Sequence, residues 1–204
     1  MCAAARVIQE ISTDEDVLGV TSVDDELFVL LGRDNNLVAV YSINDYHLLR
    51  HLNVPGLTSR GLKNMTSCVR HKCLYMSDID NRCIHTYHLA SSAISKWSVP
   101  YKPFGLSVTP SCNLLVTCHG EPNKLVELSA DSGQCVREIA LQSDIVNPWH
   151  GVQLTTGQLV VCHGDGVNDL HRVCVVGDDG KVTRSYGGQC GSNFGQLHLS
   201  LIHI

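Results

Sequence analysis

Residues 115–120 read LVTCHG and residues 159–164 read LVVCHG, two nearly identical runs 44 residues apart. Two further runs superimpose on them, LFVLLG from Leu27 and LYMSDI from Leu74, so the four recur in steps of 47, 41 and 44 residues. A period of that length marks a repeat architecture, in which each unit is one supersecondary element that cannot bury its apolar surface alone. The runs are short, rich in Leu and Val, and bounded by turn residues, which is the composition of strands.

Outward from each run the same succession appears. A second strand-like segment follows: LVAVYS from Leu37, CIHTYHL from Cys83, LVEL from Leu125 and LHRVCVV from Leu170. Each is preceded, two places earlier, by an Asn: Asn35, Asn81, Asn123 and Asn168. Such an Asn suits a turn, because its side chain bonds nearby backbone and tolerates a left-handed conformation. Turn chemistry at Asn44-Asp45, Ser91-Ser92, Asp131-Ser132-Gly133 and Asp178-Asp179-Gly180 introduces a third segment, HLLRHL, ISKWSV, CVREIAL and KVTRSY in turn. Ahead of each landmark run lies one more, VLGVTSV, NMTSCV, FGLSVT or HGVQLT.

The unit is therefore four short antiparallel strands, and the fold expected is an all-β propeller. Helical solenoids are excluded, since no unit holds ten residues of helical periodicity. The blades are placed at residues 15–58, 59–102, 103–146 and 147–192. Residues 1–14 contain RVIQEIS, similar to CVREIAL, and read as the outer strand of a preceding blade; residues 193–204 read as the truncated start of a further one. The expectation is a partial propeller whose open blade edges invite self-association.

Composition agrees. Across 204 residues, 44% are hydrophobic and 17% charged, which excludes wholesale disorder. Aromatics make up only 5% against 17 glycines, so the core must come from Leu, Val and Ile between many tight turns. The net charge of -5 lacks the field that draws in phosphate backbones, which disfavours RNA as a partner. No apolar run approaches the ~18 residues that cross a bilayer. The N-terminal MCAAARVIQEIS, with Arg6 inside the apolar run and Glu10 after it, lacks the layout of a secretory signal. A cytoplasmic chain with no membrane contact is expected. Its ten cysteines sit mostly in strand-like runs and read as buried thiols. Cys68 with Cys73, and Cys112 with Cys118, miss the spacing of a zinc or redox pair, so no metal or cofactor is expected.

Tyr186-Gly187-Gly188, followed by Gly191 and Phe194-Gly195-Gln196-Leu197, resembles the lead-in of NHL repeats. The opening at Phe104-Gly105-Leu106 and the Asn before each third strand are similar to that family too. The Asp usual at the end of its second strand is kept only as Asp78, with Leu31, His119 and His163 in its place. The resemblance implies an NHL-type propeller of about four blades plus end fragments, similar to the C-terminal propeller of tripartite-motif ubiquitin ligases.

In such propellers the loops between blades and those between second and third strands open on one face. The inter-blade segments VPGLTSR, VPYKPFG and NPWHG place Phe104, Trp149 and His150 there, on one rim with His119 and His163. These five form the candidate binding patch, since exposed aromatics supply contact area with a polar handle. The simpler reading packs Phe104 and Trp149 between blades. His119 and His163, each beside a Cys and a Gly, would bridge a metal in principle, but duplicated turn residues that cap a hairpin explain them more cheaply. His85 and His88, three apart on a strand, face opposite sides.

No nucleophile elbow, phosphate loop or zinc-protease helix appears, and the axis-facing positions Thr21, Ser67, Ser107 and Gln153 include no carboxylate. The function expected is a non-catalytic protein-interaction module, recognising a substrate or partner as NHL propellers of ubiquitin ligases do. RNA binding through Arg33, Arg60, Lys63, Arg82, Lys102 and Lys124 is the first alternative, and a propeller hydrolase or lyase the second.

Overall fold

The runs that mark the repeat become the second strand of four separate sheets. The computed structural model describes residues 10–11, 13, 15–32, 37–54, 57, 62–120, 122–165 and 170–189. Blade 1 holds β1 (Val17–Val23), β2 (Glu26–Leu31), β3 (Leu37–Ser42) and β4 (Leu48–Asn53); blade 2 holds β5 (Leu62–Cys68), β6 (Cys73–Asp78), β7 (Cys83–His88) and β8 (Ile94–Ser98). Blade 3 holds β9 (Lys102–Val108), β10 (Leu114–His119), β11 (Lys124–Leu128) and β12 (Cys135–Ala140); blade 4 holds β13 (Pro148–Gln153), β14 (Leu159–Asp165), β15 (Leu170–Val176) and β16 (Val182–Gln189). Each sheet is an antiparallel meander in chain order.

Packing explains why the second and third strands read as continuous apolar runs instead of alternating. Along β6 every residue is buried, because Cys73 and Tyr75 enter the core shared with blade 3 while Leu74 and Met76 enter the core shared with blade 1. On β10, Leu114, Val116 and Cys118 face blade 2 and Leu115 faces blade 4. Successive side chains point to opposite faces, and here both faces are covered. The outer strands β4, β8 and β12 are mostly exposed and carry the polar surface.

The first strands pack in succession, β1 on β5, β5 on β9 and β9 on β13, forming the inner wall of the propeller. Thr21 and Ser67, expected on the axis, meet there through their hydroxyls at 2.7 Å, and Ser107 Oγ donates to the Gly151 carbonyl at 2.7 Å. β13 approaches β9 so closely that a Cβ on Gly105 would lie 2.5 Å from the Trp149 carbonyl oxygen and 2.8 Å from His150 Cα. Only glycine fits that contact.

The hairpins repeat as well as the strands. A left-handed residue occupies the turn after the first strand of every blade, at Asp24, Lys72, Cys112 and Gly157. Another follows each third strand, at Tyr46, Ser92, Gly133 and Gly180. The turn between second and third strands is described in blade 2 and, apart from Glu121, in blade 3. In blade 2, Asp78 accepts from the Asn81 backbone N–H at 3.0 Å and from its side-chain amide at 2.9 Å.

Phe104 and Trp149 were placed in the segments between blades, and both lie inside inner strands, β9 and β13. Register shifts opposite them, between Val116 and Cys118 and between Pro148 and His150, let each strand begin before its pairing becomes regular. Most of the outer strand expected at 1–14, the further start expected at 193–204, Asn35, Asn168, the NHL-like residues from Gly191 onward, Arg33 and Arg60 lie outside the described residues, as does the side chain of Lys63. Among the described residues no helix is long and apolar enough to cross a membrane.

Candidate functional site

Between blades 2 and 3, on the face where inter-blade loops and second-to-third-strand turns open together, lies a cleft of about 610 Å³. Arg82 reaches it from the blade 2 turn, Tyr101 and Lys102 from the passage between blades, His119 from the end of β10, Lys124 from the start of β11 and Glu138 from β12. Three cations thus face one carboxylate. Lys124 donates to Glu138 at 2.8 Å and stands 5.1 Å above the Tyr101 ring, which orders its long side chain. Burial pushes the Tyr101 phenol well up, so it stays a neutral wall of the cleft.

His119 is the one imidazole on this wall. Its ring stacks on Phe104 with centroids 3.5 Å apart and 10° between planes, and Trp149 closes on both rings edge-on at 5.7 and 5.9 Å. His119 Nε2 lies 2.6 Å from the Pro148 carbonyl, so Nε2–H donates there and the tautomer is fixed. Burial lowers the His119 pKa and the charge of Lys102 lowers it further, against the opposing pull of the Pro148 carbonyl. At neutral pH the ring is therefore uncharged, with Nδ1 as its acceptor.

The five residues of the expected patch separate in the structure. Phe104, His119 and Trp149 form the aromatic cluster, with Trp149 49% exposed and its Nε1–H donating to the Gly164 carbonyl at 3.3 Å. His150 packs beside Gly105 on the inner strand. His163 is fully buried, not on the rim, and its Nε2 lies 3.3 Å from the Cys174 sulfur. His119 also does not cap its own hairpin, as its repeat position implied. It reaches across to the next blade, while Asn123 serves the turn through the Gly120 N–H at 3.3 Å.

A second constellation sits on the face of blade 2 that looks toward blade 1. Asp78, Cys83 and His85 are all buried, with one ligand-type atom from each lying within 4.8 Å of the others. His85 Nε2 is 3.3 Å from Asp78 Oδ2 and 3.4 Å from Cys83 Sγ. For the Asp78 carboxyl, burial acts upward but is outweighed by the hydrogen bonds from Asn81 and His85, and the group is held below its ordinary range. Burial and the neighbouring Asp78 charge push the Cys83 thiol up. His88, on the opposite face of β7, has a separate partner, Cys73 Sγ at 3.0 Å from its Nδ1.

This cluster escaped the sequence, although a signal existed. Cys83 and His85 are two apart on a strand and so share a face, and the residue paired with Cys83 across the hairpin is Asp78. The cleft escaped for a different reason. Arg82, Lys102 and Lys124 were visible as charges near loops, but Glu138 and Tyr101 join them only through the stacking of blades.

No known family model matches the sequence, and no curated protein matches it. A solved structure, that of Myxococcus xanthus glutaminyl cyclase, matches the fold with a TM-score of 0.59 at 10% sequence identity, covering 84% of this chain and 70% of that one. This match corrects the expectation of a non-catalytic interaction module of the ubiquitin-ligase kind, and with it the expectation that the chain is no enzyme: the propeller it resembles is an enzyme. At that identity the likeness shows architecture, and four antiparallel four-stranded sheets with the matching propeller make this chain an all-β protein of the β-propeller fold.

Proposed function

We propose that the chain is a propeller enzyme of the hydrolase or lyase class, acting in the cleft between blades 2 and 3 on a substrate that carries a carboxylate or similar anion. The observation that carries this reading is His119, an imidazole kept neutral by burial, with Nε2 committed to the Pro148 carbonyl, in the wall of a cleft lined also by Arg82, Lys102 and Lys124. In this reading the three cations bind and orient the anion, as paired basic side chains do. His119 takes a proton from the attacking water or amine at an acyl carbon and returns it to the leaving group, which is the role that suits a base ionising near or below neutrality. Because the similar solved structure is a glutaminyl cyclase, glutaminyl compounds belong in the first substrate panel, with carboxylate-bearing esters and lactones beside them.

The NHL type of the repeat and a cytoplasmic setting are parts of the same proposal. The Asp78–Asn81 turn supports the first. Six buried cysteines among the eight described, all free, support the second.

Turnover by the purified chain tests the enzyme reading. His119→Gln, which preserves ring-sized packing better than alanine does, should lower kcat by about 10²–10⁴-fold, while Lys102→Ala should chiefly raise KM. Turnover unchanged in His119→Gln, with its melting temperature kept, sinks the reading. Salt-sensitive RNA binding lost in Arg82→Ala and Lys102→Ala, with no turnover, would assign the cleft to RNA instead.

A further inference from the structure

The buried trio of Asp78, Cys83 and His85 is built with dimensions that hydrogen bonding does not explain. A neutral imidazole offers a single proton or a single lone pair at Nε2, yet this atom faces both Asp78 Oδ2 at 3.3 Å and Cys83 Sγ at 3.4 Å. The Asp78 contact is longer than the usual ~2.7–3.2 Å of an N–H···O bond, and one atom cannot serve both partners well. The same separations fit a common central ion. With zinc-to-ligand lengths of about 2.0–2.1 Å for N and O and about 2.3 Å for S, tetrahedral geometry sets N···O near ~3.3 Å and S···N near ~3.6 Å. Asn81 orients the carboxylate: its backbone N–H donates to Asp78 Oδ1 at 3.0 Å and its side-chain amide to Oδ2 at 2.9 Å, and Oδ2 is also the oxygen turned toward His85, with a further lone pair to offer.

We propose that Asp78 Oδ2, Cys83 Sγ and His85 Nε2 form a binding site for a zinc-class divalent cation, buried between blades 1 and 2. The donor set, one carboxylate, one thiolate and one imidazole, matches a borderline-soft first-row ion and does not suit calcium or magnesium, which take oxygen ligands. On binding, the Cys83 S–H bond breaks, the sulfur keeps the electron pair and bonds the metal, and the proton passes to solvent. The positive ion replaces that proton in a setting where burial and Asp78 otherwise keep the thiol neutral.

The role follows from the hairpin. Asp78 ends β6 and Cys83 begins β7, so the ion would clamp the base of the turn that presents Arg82, itself left-handed at φ 47°, to the cleft on the other side of blade 2. The site is thus a positioning device, independent of whether His119 is a base.

Cobalt(II) tests it directly, because a thiolate bound to cobalt gives an intense charge-transfer absorption. The full chain, stripped with chelator and titrated with cobalt chloride under reducing conditions, should develop that band to an equimolar end point, lose it on addition of zinc, and gain thermal stability with zinc. Cys83→Ser should abolish the band, and Asp78→Asn should weaken binding at least tenfold. Cys135→Ser, at an exposed position remote from the trio, should leave the titration unchanged. An absent band in a chain that is folded by circular dichroism overturns the proposal. So does a band of equal strength in Cys83→Ser.

Discussion

Single residues decide the geometry of both sites. Gly105 is the clearest case, since a methyl group there meets backbone atoms of β13 that cannot swing aside. Gly105→Ala should destabilise the protein by about 1–3 kcal/mol in urea unfolding, by overpacking an otherwise fixed contact. His163 supplies a pH dependence. Burial first, and then the charge of Arg172, lower its pKa from the ordinary 6.5, so the folded state disfavours the imidazolium that the unfolded chain accepts. Stability is full above 6.5 and falls as the pH drops from there through the lowered folded value. His119 contributes in the same direction for the same principal reason. His163→Gln should therefore flatten, though not abolish, the loss of stability as the pH falls below 6.5. A slope identical to that of the parent chain would show that His163 is not the group responsible.

Elements show how much of this molecule could be read from its sequence. The four runs, LFVLLG, LYMSDI, LVTCHG and LVVCHG, identify the second strands because a strand buried on both faces leaves an uninterrupted apolar record. The Asn residues before the third strands foretold turns, and Asn81 and Asn123 serve them. Sequence placed Phe104, His119 and Trp149 on one side of the molecule, since repeat position alone carries that information. The stacking of His119 on Phe104 and its bond to Pro148 were illegible, because they join adjacent blades through distances that no spacing encodes. His163 occupies the same repeat position as His119 and ends fully buried, so equivalence in a repeat does not fix exposure. Turn chemistry gives a prediction at this scale. Ser92 adopts φ 54° in the last hairpin of blade 2, where glycine pays no Cβ penalty. Ser92→Gly should stabilise by up to about 1 kcal/mol. Gly180→Ala, in the equivalent hairpin of blade 4, should cost about 2 kcal/mol or more, because its φ is +78° and its Cβ would collide with the Ala140 carbonyl. Thermal melts of the two variants should move in opposite directions.

At the scale of the whole molecule, stability resides between blades more than within them. Three core clusters fill the three junctions between consecutive blades, and each draws its side chains from both neighbours. Blade 1 also carries Val29, Leu31 and Ala39 on its other face, and Val17 and Val20 on β1 are 46% and 45% exposed. Exposed apolar side chains such as these two valines favour pairing of copies. Light scattering should give a mass that rises with protein concentration, and Val17→Ser with Val20→Ser should reduce the rise. A mass independent of concentration in the parent chain would remove this expectation.

A left-handed residue recurs in the first and last hairpin of each blade. Blade 4 holds glycine at both positions and blade 3 at one, whereas blades 1 and 2 hold Asp24 with Tyr46 and Lys72 with Ser92. In the last hairpins, which keep nearly the same length from blade to blade, the left-handed position persists while its side chain varies, and glycine is the residue that the conformation suits best. These last hairpins are consequently interchangeable parts. A chimera that grafts the last hairpin of blade 4, between Val176 and Val182, into blade 1, between Ser42 and Leu48, therefore exchanges loops of equal length with the left-handed residue at the same place.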